Sequence, residues 1–317
     1  MSANLSFIQY IEQALRGLMV LLTGGAFGAD GFDNAALQAR MEAVLTRPPQ
    51  MSAMLVLECD GDANNGDVAV IQRRLERFRY DTQIMEQKDG HIILHITGPS
   101  FDRALFAQLI APGRLAIGSM EPFENWRPAL PDEPVVALRV ETKMVSGFRY
   151  QAIVAPTDTP LRPLADILKR KGFHPFVYCA GDYDIDSGCL LQVISPETRI
   201  SNTDITAAYV STNAPEQSIA YHLTLSTETA LRFEQLTARN IHRPLPISLD
   251  GTAMSMPIVQ EPIPEGELQI TGFYLFENGT PDDEWLNAHL FIALVGNPPL
   301  KSQWRVVHME PVDTPAN

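Results

Sequence analysis

Residues 219–271 constrain the fold of this chain more than any other stretch, because strand, helix and hairpin signals follow one another there without a gap. Ile219, Tyr221, Leu223 and Leu225 alternate with Ala220, His222 and Thr224, the two-residue period of a strand with one buried face. Ser226 then offers a hydroxyl to the free N–H groups of a first helical turn, and Glu228 suits the positive end of the helix dipole, so a helix should start at Thr227. Ala230, Phe233, Leu236 and Thr237 recur at the steps of one apolar stripe while Arg232, Glu234, Gln235 and Arg239 face water, and the stripe stops near Asn240. Leu245, Ile247 and Leu249 resume the two-residue alternation. Asp250-Gly251 is the pair favoured by a type I′ turn, so residues 253–259 should return as the partner strand. Pro257 has no N–H for a central ladder, which places that strand at a sheet edge or puts a bulge in it. Beyond the Pro262, Pro264, Gly266 turn, residues 268–271 make a last short strand. The expected unit is a helix laid on an antiparallel sheet.

The chain has 317 residues, enough for about two domains. Its net charge of −14 is spread along the sequence and repels phosphate backbones, so nucleic-acid binding is disfavoured. Three cysteines cannot all pair within one chain; Cys179 and Cys189 can be linked only if their flanking strands are adjacent, and Cys59 reads as a buried structural thiol.

Ahead of the folded body, residues 1–47 form an appendage. Phe7, Ile8, Ile11 and Leu15 give a helical pattern that runs into a charge-free stretch at residues 17–29. Thirteen residues rise only about 20 Å, short of the roughly 30 Å hydrocarbon core, so residues 5–29 do not span a membrane; they read as a degenerate secretory signal or as an amphipathic terminal helix with peripheral membrane contact. A short helical piece at 34–46 is ended by Arg47-Pro48-Pro49. Then follow a strand at 53–58, a helix N-capped by Asp67 with Val68, Ile71, Leu75 and Phe78 buried, strands at 84–87 and 91–97, a helix at 101–110 and a strand at 114–118. Arg73, Arg74, Arg77 and Arg79 read as a solvated basic face. Strands are expected at 135–140, 150–154, 176–179 and 190–194, a helix at 161–171 closed by Gly172, a helix at 281–294 and a final strand at 304–308.

The run TLSTETALRFEQLTARN, then PLPISLDG, then SMPIVQEPIPEGELQITGF resembles the head of the large first periplasmic domain of the SecD family, membrane subunits that assist protein export. The positions that carry the resemblance are Phe233, Thr237, Asn240, Leu249, Asp250, Gly251, Ser255, Pro257, Ile263, Gly266, Ile270, Thr271 and Gly272. His242 stands where the family usually has glycine, and Met256 where it usually has alanine. Ile71 with Arg74, HIILHITGP, LFAQLI and RLAI resemble the base part of the same domain more loosely, and the family's glycine-rich element ahead of the first base strand is replaced by Arg47-Pro48-Pro49-Gln50-Met51. The resemblance implies an α+β fold of antiparallel sheets with helices on one face. Its ferredoxin-like base spans residues 48–118 and 273–317, with an inserted α/β head at 119–272.

No nucleophile elbow, zinc-protease helix or phosphate loop occurs, so neither catalysis nor a cofactor is expected. Asp182, Asp184 and Asp186 alternate in a turn but fail the calcium-loop spacing, as do Asp60, Asp62 and Asn64, and His91 and His95 are too far apart along one strand to share a metal. By resemblance the function is a non-enzymatic, accessory one in export: contacting unfolded or translocating polypeptide beside the export machinery, in the periplasm or cell envelope. The alternatives are an envelope scaffold or adaptor for a folded partner, and a cytoplasmic location. The expected contact is the sheet edge at Met254, Ser255, Met256 and Ile258, where an extended chain could add through main-chain bonds and flexible thioethers could adapt to varied side chains.

Overall fold

The computed structural model describes residues 51–61, 64–88, 90–99, 101–131, 138–179, 188–213, 218–271 and 281–312. Residues 1–47, Asp62, the triplet Asp182, Asp184 and Asp186, and Gly272 lie outside the described residues. In chain order the elements are β1 (Met51–Cys59), α1 (Asn65–Arg77), β2 (Asp81–Lys88), β3 (His91–Gly98), α2 (Arg103–Leu109), β4 (Leu115–Ile117), α3 (Phe123–Trp126), β5 (Arg139–Val145) and β6 (Phe148–Ala155). They continue with α4 (Arg162–Arg170), β7 (His174–Cys179), β8 (Cys189–Ile194), β9 (Ile205–Asn213), β10 (Ser218–Leu225), α5 (Thr227–Arg239), β11 (Ile247–Leu249), β12 (Thr252–Ser255), β13 (Glu267–Thr271), α6 (Pro281–Val295) and β14 (Trp304–Val312). Two compact units result: one takes the chain up to Ile110 and again from Ser302, the other takes Ala111–Lys301.

The first unit is an antiparallel sheet in the order β14-β1-β3-β2. Ala53, Leu55 and Leu57 on β1 oppose Ile96, Leu94 and Ile92 on β3, and all six are fully buried, as are Leu75 of α1 and Phe106 and Leu109 of α2. Two sequence expectations are corrected here. The N-cap of α1 is Asn64, whose Oδ1 accepts from Gly66 N at 2.7 Å. Asp67 is instead buried one turn in, where it accepts from Ser302 N at 2.9 Å and from Trp304 Nε1 at 3.2 Å. Arg74 is not on a solvated face: three residues after Ile71 it falls in the buried stripe, and its Nη1 donates to Leu109 O at the negative end of α2 at 3.0 Å. The strand at 115–117 does not complete this sheet. β4 pairs with β11 in the second unit, and β14 occupies the place beside β1.

The second unit holds a seven-stranded sheet, β4-β11-β12-β7-β8-β6-β5, and a three-stranded one, β13-β10-β9. The four strands at 219–271 therefore divide between two sheets: β10 and β13 pair with each other, while the β11–β12 hairpin joins the larger sheet. That sheet is mixed, since β12 meets β7 in parallel at Thr252 and Val177. One face packs Ile153, Val177, Leu191 and Val193 with Trp126, Leu161, Leu164 and Leu168; the other packs Ala152, Val154, Phe176 and Ile194 with Met120, Tyr150 and Met256. α6, expected with the base, belongs to this unit, where Phe291 meets Tyr221 of β10 edge-on at 5.4 Å.

Asn202 is the polar centre of the unit. Buried, it accepts from Leu115 N at 2.9 Å through Oδ1, and its Nδ2 is turned to the carbonyls of Gly113 (2.8 Å), Asn297 (3.1 Å), Leu294 (3.2 Å) and Val295 (3.4 Å). It thereby ties β4 to the end of α6. β7 and β8 are adjacent and antiparallel with Cys179 opposite Cys189, and a disulfide joins the two. Cys59 is a buried thiol whose Sγ donates to Gly61 O at 3.3 Å.

Candidate polypeptide-contact surface

Most of the motif residues at 233–271 prove to be fasteners. Phe233, on the inner face of α5, is fully buried. Thr237 Oγ1 donates to Phe233 O at 2.9 Å and accepts from Ile263 N at 2.9 Å, so the last turn of α5 holds the loop before β13. Asn240 Nδ2 donates to Leu236 O at 2.8 Å and closes the helix. His242 follows at φ 63°, a left-handed conformation that costs about 1–2 kcal/mol for a residue with a Cβ and that glycine, the family's usual residue here, adopts without strain. Asp250 and Gly251 have φ of 52° and 84°, as a type I′ turn requires. The Asp250 carboxylate also accepts from Gly113 N and Arg114 N, each at 2.9 Å, pinning the lead into β4. A Cβ on Gly266, at φ +71°, would lie 2.5 Å from Ala230 Cβ, so the helix and the turn can approach only with glycine there.

The expected edge at Met254, Ser255, Met256 and Ile258 is corrected by this arrangement. β12 lies inside the seven-stranded order, with β11 on one side and β7 reaching it at Thr252 on the other. The register shift between Ile247 and Ser248 makes Met254 the extra residue of a bulge, so the bulge left open by Pro257 sits three residues earlier. Past Ser255 the main chain is bonded to the segment ahead of β11: Leu245 N donates to Pro257 O (2.8 Å), His242 N to Val259 O (2.8 Å) and Val259 N to Arg243 O (3.1 Å), with an isolated bridge between Pro244 and Ile258. Met256, half-buried, packs against the hydrophobic cluster that includes Phe176 and Leu190.

The outer strand of this sheet is β5. At the other end, β4 is closed by reciprocal bonds between Ile117 and Ile200 (3.0 and 2.8 Å), whereas among the described residues nothing pairs with the outer side of β5. Ser146 (φ 49°) and Gly147 (φ 84°) make a type I′ turn into β6, and the two strands stay paired from Arg139 with Val154 to Val145 with Phe148. Val140, Thr142 and Met144 share one face; Val140 is 49% exposed and Met144 66%. On the other face Glu141 bonds Arg139 (2.6 Å) and Lys143 (3.0 Å), and chiefly the Lys143 bond holds the Glu141 carboxyl below its ordinary pKa. Tyr150, opposite Lys143, is pushed up by burial. Arg243 lies over the Phe148 ring at 5.1 Å. The strand expected at 135–140 is instead Arg139–Val145, and the Ser-Gly pair between Met144 and Tyr150 is the sequence signal for this hairpin.

Within the second unit, Asp204 couples the start of β9 to the start of α5. It accepts from Ser201 N (2.9 Å), Ser201 Oγ (3.0 Å), Thr229 Oγ1 (2.8 Å) and Arg232 Nη2 (2.9 Å). Burial alone would raise its pKa, but these donors together lower it. A carboxyl held low in the folded state contributes stability that is complete above the unfolded pKa of about 3.9 and is lost as pH falls through the folded value. Asp204→Asn should therefore cost about 1–2 kcal/mol at neutral pH, and the gap to wild type should shrink as urea titrations are taken below the unfolded pKa of about 3.9.

Among the described residues no group of three or more His, Cys, Asp or Glu side chains is placed to hold a metal ion, and no helix is long and apolar enough to cross a membrane. Residues 183–278 match the family model described as SecDF, P1 head subdomain. A curated relative, the protein translocase subunit SecD of Desulfurispirillum indicum, is 41% identical over 68 residues, 22% of this chain and 12% of that protein. The SecD subunit of Syntrophobacter fumaroxidans is 34% identical over 82 residues, 26% of this chain and 15% of that protein. Among solved structures, the super-membrane-facing form of SecDF matches at a TM-score of 0.48 and 16% identity, over 96% of this chain and 35% of that one. A second SecDF structure, described as a membrane component that enhances protein export, matches at 0.44 and 16%, over 80% of this chain and 98% of that one.

Proposed function

We propose that this chain, whose residues 183–278 match the SecDF P1 head subdomain, carries a SecD-type periplasmic domain and serves protein export by contacting extended polypeptide along the outer edge of β5. The observation that carries the reading is an open strand edge beside exposed Val140 and Met144. A strand edge offers unpaired N–H and C=O groups to any extended chain, and two flanking apolar side chains add affinity with little sequence demand. That breadth suits clients that are unfolded and varied. The Cys179–Cys189 disulfide supports a location on the oxidising side of the membrane, where such bonds persist. No catalytic step is part of this role, and partnership with the export machinery is its natural setting.

The test uses a reduced, carboxymethylated protein as a permanently unfolded client. The purified chain should bind it with little salt dependence, and Val140→Asp with Met144→Asp should weaken binding about 10-fold, since each replacement sets a charge where a client strand would lie. Both positions are exposed, so the variant should keep its unfolding midpoint. An unchanged affinity in the folded variant would sink the β5 reading. Met256→Asp is the contrasting change: it sets a charge against the hydrophobic cluster that contains Phe176 and should lower stability whether or not a client binds.

A further inference from the structure

We propose that β2 is the seam of a homodimer, in which two copies of the first unit join edge to edge in one continuous antiparallel sheet. β2 ends the sheet of that unit, and seven of its eight residues are exposed. Its sequence is Asp81-Thr82-Gln83-Ile84-Met85-Glu86-Gln87-Lys88. Set antiparallel to itself about a twofold axis between Ile84 and Met85, it brings Asp81 opposite Lys88 of a second copy, Thr82 opposite Gln87 and Gln83 opposite Glu86. Ile84 and Met85, 41% and 55% exposed, meet at the axis. Opposite charges at the two ends and apolar side chains in the middle are the pattern a self-complementary edge needs.

The register within the sheet shows why this pairing is geometrically allowed. Directly opposed residues of antiparallel strands must point to the same face, yet in an unbroken strand Asp81 and Lys88 are an odd number of residues apart and point to opposite faces. β2 is not unbroken. Its register against β3 shifts between Ile84 and Glu86, so that Asp81, Gln83, Glu86 and Lys88 stand opposite Thr97, His95, Ile93 and His91. Thr82, Ile84 and Gln87 stand opposite Ile96, Leu94 and Ile92, the three buried hydrophobic residues of β3. The bulge at Met85 thus turns both halves of β2 the same way and makes the strand symmetric about its own centre. On the helix side, Thr82 and Gln87 are tied down by Gln72 (3.1 Å) and Asn65 (2.7 Å) of α1. A slip of two residues toward the Asp81 end would oppose Asp81 and Glu86, two like charges, which favours the centred register.

A single strand edge buries less than the roughly 1,600 Å² of a standard interface, so the dimer should be weak, with a Kd in the range of about 10 µM to 1 mM. Sedimentation of the full chain across that concentration range should show the mass rise from one chain to two. Asp81→Lys and Lys88→Asp should each weaken association at least about 10-fold, because each places like charges opposite one another twice. Mixing the two variants should restore a dimer containing one of each, and the double variant Asp81→Lys/Lys88→Asp should restore self-association. Rescue also shows that the single variants are folded. A wild type that stays monomeric throughout overturns the proposal, as does a dimer that either single variant leaves unchanged, or single variants that do not recover on mixing.

Discussion

A chain ended at Lys301 should lose the entire first unit while keeping the second. β14 is registered against β1 from Val312 with Ser52 to Trp304 with Cys59, and it supplies the carbonyl of Val306 to Arg103 of α2 at 2.7 Å. Ser302 N and Trp304 Nε1 also donate to the buried Asp67 carboxylate. Removing them strips one side of the central strand, bares an apolar face and takes donors from a buried charge; each of the last two losses costs several kcal/mol, against a whole-domain stability of about 5–15 kcal/mol. Hydrogen exchange reads the outcome. Protection should vanish at residues 91–97 and persist at 153–155 and 190–194. Native protection at 91–97 in the truncated chain would contradict the role of β14.

Asn202→Asp should be the most damaging single change in the second unit. The substitution keeps an acceptor for Leu115 N but points a carboxylate oxygen, in place of a donor, at the carbonyls of Gly113, Leu294, Val295 and Asn297, three of them at or just past the negative end of α6. An uncompensated buried charge costs about 3–5 kcal/mol. Surrounded by carbonyls, the new carboxyl would have a folded-state pKa above its unfolded value. The native state then binds more protons, so the penalty is full at neutral pH, shrinks as pH falls through the folded pKa and is gone below about 3.9. Urea midpoints at pH 7 and pH 4 test this; an equal loss at both would mean that shape, not charge, governs the site.

The local signals were legible because they are local. Alternation at 219–225, the Ser226 cap, which accepts from Thr229 N, and the Asp250-Gly251 turn each require only neighbours in sequence, and β10, α5 and the β11–β12 turn formed where those residues put them. What the sequence did not carry is which strand lies beside which. Leu115 and Ile117 fit a fourth strand in either sheet, and Asn202, hidden in an unremarkable Ser-Asn-Thr-Asp, decides the matter through bonds to residues about 90 positions away. Arg74 was misread because charge was weighed above spacing. The β12 edge was misread because Pro257 and two methionines describe a strand's own chemistry and say nothing of its neighbours. Disulfide formation between Cys179 and Cys189 hung on the same missing knowledge of adjacency.

The way β14 meets β1 has a mechanical consequence. Ser52 lies opposite Val312, so the two ends of the described chain leave the same end of the same strand pair. Tension applied through those ends loads the ladder one rung at a time, as a zipper, instead of shearing every rung together. Within the second unit Leu300 N bonds Pro112 O at 2.9 Å, so the points where its chain begins and finishes are stapled to each other. A pull along the polypeptide would open the β1–β14 seam first, and the load would reach the second unit only after its staple had parted.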